Sequence, residues 1–398
     1  MNRMMPPGAI APRAPEPAPA SVSAARLRAV HRAATDLRRG IPVLLASDPP
    51  LLALAAETAG PAALAEFARL AAGAPLLLLA PVRASAVLRR PVGTPVGTPA
   101  GAPVGAAAGK PVALALPPAL RAPEMLARLA DPTLDQDLPA APELAETPPG
   151  AAAAVALTKL ARLLPAVLVV APTEAALAAG PDAGGVLTVS AADVLAYRPA
   201  AAASLRRLTE AQVPLSAAPD ARIVIFRPED GGTEHLAILV GAPQAEAAPL
   251  VRLHSECFTG DLLDSLRCDC GAQLRGAIAR MAAEGAGVLL YLAQEGRGIG
   301  LASKLRAYAL QDRGLDTLDA NRALGWEADE RNFLTAATML DSLGIRRVRV
   351  LTNNPDKLSG LAACGIEVAG REPHTIAPNG VNDEYLATKA RRFGHLLS

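Results

Sequence analysis

The chain has 398 residues, with 39 Lys and Arg against 38 Asp and Glu and a formal net charge of +1. That balance gives no reason to expect nucleic acid or a polyanionic surface as partner, and no run of about 18 uncharged apolar residues offers a membrane span. The length allows two or more domains. Four cysteines, three of them clustered, and a start lacking a compact apolar segment point to a reducing, cytoplasmic setting.

Chemistry-bearing side chains are unevenly spread. Of ten aromatic residues only Phe67 and Tyr197 precede position 220, and all four cysteines and four of five histidines follow position 230. Residues 1–21, rich in Pro, Ala and Ser, read as a disordered arm. Ala24–Arg39 has helical spacing, ends at Gly40-Ile41-Pro42 and leads into a strand at Val43–Ala46. A helix over Pro61–Ala72 and a buried strand over Leu76–Ala80 follow. Residues 91–109, PVGTPVGTPAGAPVGAAAG, form a low-complexity loop. Beyond it lie a strand at Val112–Leu116, a helix near Ala122–Ala130, a helix at Ala151–Leu163 and strands at Ala166–Val170 and Val186–Val189. Helices alternating with short apolar strands predict an α/β (mixed α+β) fold. Two domains are expected, residues 22–203 and 204–398, each a sheet with packed helices.

The second half opens with strands at Ala221–Phe226 and His235–Val240 joined by a hairpin at Gly231-Gly232. Strand Leu250–His254 delivers Cys257, and Cys268 and Cys270 follow within a short stretch. Thiolates hold zinc well, and three of them leave one tetrahedral position open, as catalytic zinc sites do. His254 is the nearby candidate for a fourth ligand. Three buried thiols, or a disulfide, are the alternatives. Gln273–Ala283 reads as a helix packing through Leu274, Ala277, Ile278 and Met281. Strand Gly287–Leu292 feeds the glycine loop Gln294–Gly300 and then a helix at Leu301–Gln311, an arrangement suited to phosphate, with Arg297 inside it. Asp329-Glu330-Arg331 opens a helix Glu330–Leu343, with N-cap and surface cation as the plain alternatives to a functional role for Asp329 and Arg331. Arg347–Leu351 is a strand, and Asn354-Pro355 start a helix that holds Lys357 in its first turn. Cys364 reads as a buried small apolar residue.

Arg252-Leu253-His254-Ser255-Glu256-Cys257 and Leu266-Arg267-Cys268-Asp269-Cys270-Gly271 resemble the zinc signature of GTP cyclohydrolase II. The likeness continues through Gln294–Gly300, Ala328-Asp329-Glu330-Arg331, Leu351–Pro355 and Gly394-His395-Leu396-Leu397, spanning about half the chain. It implies a homodimeric hydrolase acting on cyclic amidine C–N bonds, opening riboflavin biosynthesis. GTP would yield 2,5-diamino-6-hydroxy-4-(5-phosphoribosylamino)pyrimidine, formate and pyrophosphate. One Zn2+ per subunit would sit on Cys257, Cys268 and Cys270, with Mg2+ accompanying the nucleotide. The resemblance assigns GTP contacts to Arg252, Leu253, His254, Ser255, Glu256, Gln273, Glu295, Gly296, Arg297, Thr317, Thr352 and Lys357. It makes Asp329 the proton acceptor, Arg331 the nucleophile on phosphate and Tyr308 a catalytic tyrosine. A guanidinium has no free lone pair, so clamping phosphate is the easier job for Arg331.

The first half is similar to 3,4-dihydroxy-2-butanone 4-phosphate synthase, a family often fused ahead of GTP cyclohydrolase II. Its acidic Asp-Arg-Glu-Asn-Glu loop is here Ser47-Asp48-Pro49-Pro50-Leu51-Leu52, and its Gly-His-Thr-Glu stretch is Gly150-Ala151-Ala152-Ala153. Magnesium needs oxygen ligands and proton transfer needs a titratable group. This half is therefore expected to keep the fold without the activity, as a scaffold or dimerisation element. The rival readings are a two-activity enzyme and a non-catalytic zinc- and nucleotide-binding regulator.

Overall fold

A computed structural model describes residues 23–92, 109–179, 186–244, 247–376, 380–383, 388, 391–392, 394 and 396. The expected arm at 1–21, nearly all of the loop at 91–109, and His395 and Leu397 of the C-terminal motif lie outside the described residues.

In chain order, the first half contains α1 (Ala24–Arg38), β1 (Val43–Ala46), β2 (Leu51–Ala55), α2 (Pro61–Leu70), β3 (Leu76–Leu79), α3 (Pro81–Leu88), β4 (Val112–Ala115), α4 (Pro123–Ala130), β5 (Glu143–Ala145), α5 (Ala151–Leu160), β6 (Ala166–Val170), α6 (Glu174–Ala178), β7 (Thr188–Ser190) and α7 (Ala191–Ala203). Its strands form one seven-stranded sheet in the order β5-β4-β3-β6-β2-β1-β7. All neighbours are antiparallel except β1 and β7. Unbroken apolar runs such as AVLVV in β6 fit strands covered on both sides.

The period of two sorts these strands onto two cores. Leu45, Ala53, Leu78, Val167 and Val169 face α1, α5 and α7. Leu52, Leu54, Leu77, Leu114 and Leu168 face the other way, towards α2 and α4. That second core also takes in Ile299, Ala307, Leu310, Leu324 and Trp326 from the second half. The two halves thus share one apolar core.

The second half comprises β8 (Arg206–Gln212), β9 (Arg222–Arg227), β10 (His235–Gly241), β11 (Leu250–Ser255), α8 (Phe258–Asp261), α9 (Cys270–Glu284), β12 (Ala286–Leu292), α10 (Leu301–Gln311), α11 (Thr317–Ala323), α12 (Phe333–Ser342), β13 (Arg347–Leu351), α13 (Pro355–Ala363) and β14 (Glu367–Glu372). Its seven strands run β14-β13-β11-β12-β10-β9-β8. β14, β13, β11 and β12 are parallel and the rest antiparallel. One face packs on α12 and α13 through Val251, Leu253, Val288 and Leu290 against Ala336, Met339, Leu340 and Leu361. The other packs on α9 through Ile238, Val240 and Leu289 against Ala277, Ile278 and Met281. Among the described residues no helix is long and apolar enough to cross a membrane.

One expected boundary is corrected. The helix after the Asp329 motif opens at Phe333, not Glu330, and its cap is Asn332, whose side chain accepts from the Leu334 amide. Asp329 is not that cap. Its carboxylate instead accepts from the Arg331 amide at 3.0 Å, a local turn that holds the backbone out of the helix.

Candidate metal and nucleotide site

Parallel strands joined by crossover helices place their loops together at the strands' carboxyl ends, where such sheets bind ligands. Here β11 leads to Ser255–Cys257, β12 to the glycine loop Glu295–Gly298 and β13 to Thr352–Lys357. These three loops meet around one cleft.

The cysteine sulfurs of Cys257, Cys268 and Cys270 converge to within 4.8 Å of one another, and none is in a disulfide. Cys257 Sγ and Cys268 Sγ lie 3.7 Å apart. A tetrahedral ion with metal–sulfur bonds of about 2.3 Å requires sulfurs about 3.8 Å apart, so this donor set fits a metal of zinc's size and preference. Gly260 makes room for the trio: a Cβ there would lie 2.6 Å from Cys268 Sγ and 3.0 Å from Cys257 Sγ.

The thiols share their protons unequally. Thiol hydrogen bonds from Cys268 and Cys270, with help from Lys304 and against burial, hold Cys257 well below the usual thiol range. The same bonds from Cys257 push Cys268 up to about 11 and Cys270 well above its ordinary value. Binding a metal would release the protons the thiols carry.

The His254 expectation divides. Its Nε2 lies 3.0 Å from Asp261 Oδ1, and its ring stacks on Tyr291. Burial first, with Arg252 adding to it, holds the ring below its usual pKa despite the Asp261 hydrogen bond. Its ring nitrogens are not among the converging ligand atoms, so it is not a fourth ligand. It does border the cleft.

Most of the expected nucleotide contacts line that cleft: Arg252, Ser255, Glu256, Gln273, Glu295, Gly296, Arg297, Thr317 and Lys357, together with Tyr308 and Arg331. Arg252 is buried, donates to the Leu351 carbonyl at 3.2 Å and to Gln273, and burial lowers its pKa to about 10. Lys357 Nζ donates to the Leu253 carbonyl at 2.7 Å. Glu256 is held above the usual carboxylate range by burial and then by nearby Glu295. Three expected residues do not line the cleft. The Leu253 side chain packs in the core. Thr352 Oγ1 accepts from the Asn354 amide at 3.0 Å, shaping the strand-to-helix turn. Asp329 lies behind Arg331, which it holds through paired hydrogen bonds from Nε at 2.9 Å and from a terminal nitrogen. Burial works against ionisation of Asp329, but Arg331 and then Arg297 outweigh it and keep the carboxylate ionised.

Sequence reasoning missed Lys304. From α10 its ammonium reaches Cys257 Sγ at 3.1 Å, Thr259 Oγ1 at 3.0 Å and Glu295 Oε1 at 2.9 Å. Glu295 in turn accepts from the Phe258 and Gly296 amides at 2.7 and 2.9 Å, tying the glycine loop to the metal loop. The available signal was spacing: Lys304 lies one helical turn before Tyr308 and so shares its face.

A family model for GTP cyclohydrolase II matches residues 206–373, a span that includes every residue of the cleft named above. A relative called GTP cyclohydrolase-2 from Azospirillum brasilense is 49% identical over 392 residues, covering 96% of this chain and 98% of that protein.

The chain belongs to the GTP cyclohydrolase II family.

Other GTP cyclohydrolase-2 relatives match about half the chain. That from Azotobacter vinelandii is 54% identical over 43% of this chain and 83% of its own length. That from Yersinia pestis is 50% identical over 49% of this chain and 98% of its own. Among solved structures, a two-domain 3,4-dihydroxy-2-butanone 4-phosphate synthase from A. baumannii is 18% identical, covers 87% of this chain and 99% of that chain, and gives a TM-score of 0.32. Within the family the present chain is of the long form: its first half is shared with the Azospirillum relative and absent from the half-length ones.

Proposed function

We propose that the cleft hydrolyses GTP to 2,5-diamino-6-hydroxy-4-(5-phosphoribosylamino)pyrimidine, formate and pyrophosphate. The observation that carries this reading is the trio of thiols on the same cleft as Arg252, Arg297, Arg331 and Lys357. Cys257, Cys268 and Cys270 would hold zinc. Zinc held there supplies a Lewis acid that lowers the pKa of a water towards 7. Arg297, Arg331 and Lys357 face the triphosphate, and Arg331, already engaged by Asp329, clamps phosphate and stabilises its developing charge. Tyr308 orients the base beside the metal loop. Magnesium accompanies the nucleotide and neutralises phosphate charge. The enzyme works as a cytoplasmic homodimer.

The test is steady-state formate and pyrophosphate release from GTP, with metal content measured per chain. Formate together with about one zinc per chain supports the reading. A zinc-loaded chain releasing no formate above background favours a nucleotide-binding regulator.

The first half has no synthase activity in this reading. Ser47 and Gly150, at its two motif positions, do meet: a Cβ on Gly150 would lie 2.6 Å from Ser47 Oγ and 3.2 Å from Leu51 Cδ1. Asp48 is the one carboxylate in that stretch, and with a hydroxyl and apolar groups beside it there is neither a cluster of acidic magnesium ligands nor an acid–base pair. Release of dihydroxybutanone phosphate from ribulose 5-phosphate would overturn this.

A further inference from the structure

Glu330 stands between Asp329 and Arg331, and its side chain leaves the cleft. Arg331 lines the nucleotide cleft, whereas Glu330 lines a second cavity, shared with Lys159, Arg162 and Arg198 of the first half. The Glu330 side chain is 8% exposed and accepts from Lys159 Nζ at 2.6 Å and from Arg198 at 2.9 Å. Arg198 also donates to the Glu330 carbonyl at 3.0 Å. Asn332, one residue past Arg331, donates to the Arg198 carbonyl at 3.1 Å.

The same residue is locked to the glycine loop. The Glu330 amide donates to the Arg297 carbonyl at 3.0 Å. Gly298 lies against it so closely that a Cβ would come within 2.9 Å of the Glu330 carbonyl oxygen. Arg162, three residues after Lys159, donates to the Ala293 carbonyl at the root of that loop, at 3.2 Å. Two helix-borne cations and a third at the end of α5 therefore grip both loops from behind. Residues 327–332 have no helical or strand hydrogen bonding of their own. A buried carboxylate paired with two cations is a strong geometric constraint, because losing a partner leaves a desolvated charge behind.

We propose that Lys159 and Arg198 are positioning residues for the GTP reaction: by holding Glu330 they fix Asp329 and Arg331 against the nucleotide, and this is the work of the catalytically silent first half. The inference rests on the reading of Asp329 and Arg331 given above. Neither cation touches substrate; both act through Glu330.

The experiment compares the full-length zinc-loaded chain with Lys159→Met/Arg198→Met. Formate release from GTP is expected to lose about tenfold or more in kcat, since small misplacement of a reacting group is costly. KM is expected to move by less than about threefold, with zinc per chain unchanged. The conservative pair Lys159→Arg/Arg198→Lys keeps both charges and should restore most of the lost kcat. Should the methionine pair not fold, Glu330→Gln, which keeps size and weakens both ion pairs, should show the same kcat loss. A kcat within about twofold of wild type, or a conservative pair as damaged as the methionine pair, overturns the inference. Amide hydrogen exchange over residues 327–332 separates it from the activity assignment. If wild type releases no formate, the GTP reading fails by itself, and faster exchange in the methionine pair still supports the clamp. Unchanged exchange overturns it.

Discussion

Cys268 carries the most at the scale of single residues. It contributes one of three sulfurs that fit a tetrahedral ion, and a serine hydroxyl is a far poorer zinc ligand than a thiolate. Cys268→Ser is expected to lose zinc retention and formate release together; metal analysis and a product assay on the same preparation check this, and full activity without Cys268 would remove the metal from the mechanism. His235 makes a prediction about pH. Burial first, and the charge of Arg162 second, lower its pKa to about 4, and its Nδ1 accepts the Ala293 amide at 3.1 Å. An unfolded histidine titrates near 6.5. Between those values the unfolded chain binds a proton that the folded one refuses, so stability falls as pH drops from 6.5 towards 4. Above 6.5 the group adds no pH dependence. Its share of the loss between pH 7 and pH 5 is about 2 kcal/mol. Urea unfolding at the two pH values, for wild type and His235→Asn, should show a smaller loss in the variant.

At the scale of elements, the site depends on where helices begin. Asn354 caps α13 by accepting from the Asp356 amide at 2.9 Å, with Pro355 in the first position, and this sets Lys357 towards the cleft. Asn354→Ala is expected to cost about 1 kcal/mol, seen as a lower urea midpoint, and to weaken GTP binding through Lys357. This start was legible in the sequence because Asn-Pro is a local signal. The start of α12 was not. Asp329 has as good a cap chemistry as Asn332, and only the grip of Arg331 on Asp329 and of Lys159 and Arg198 on Glu330 decides between them. The strands β8 and β14 escaped for a related reason. RRLTEAQ and EVAGRE carry little apolar patterning, because both lie at sheet edges and one is exposed throughout.

At the scale of the whole molecule, the two halves are joined by packing as well as by charge. Leu310, Leu324 and Trp326 lie in the core of the first sheet, and Arg306 bridges Glu57 at 2.8 Å and Asp131 at 2.7 Å across the junction. A fragment of residues 204–398 would uncover that apolar face. It is expected to bind a hydrophobic dye and to associate more than the full chain does; a dye-negative fragment matching the full chain in size-exclusion behaviour would show that the shared core is dispensable.

The zinc-type thiol cluster, the glycine loop, most of the strands and the family membership were all in the sequence by itself. Each is a local pattern of residue type and spacing, and such patterns survive without knowledge of what lies opposite. What only the tertiary structure decided was which long-range partners each side chain meets. Lys304 against Cys257, and Lys159 with Arg198 on Glu330, join residues far apart in the chain, and even the short-range pairing of His254 with Asp261 became visible only in the folded cleft. The reason is that charge pairing and burial depend on distance in space, and the chain order holds no measure of that distance until the sheets are packed.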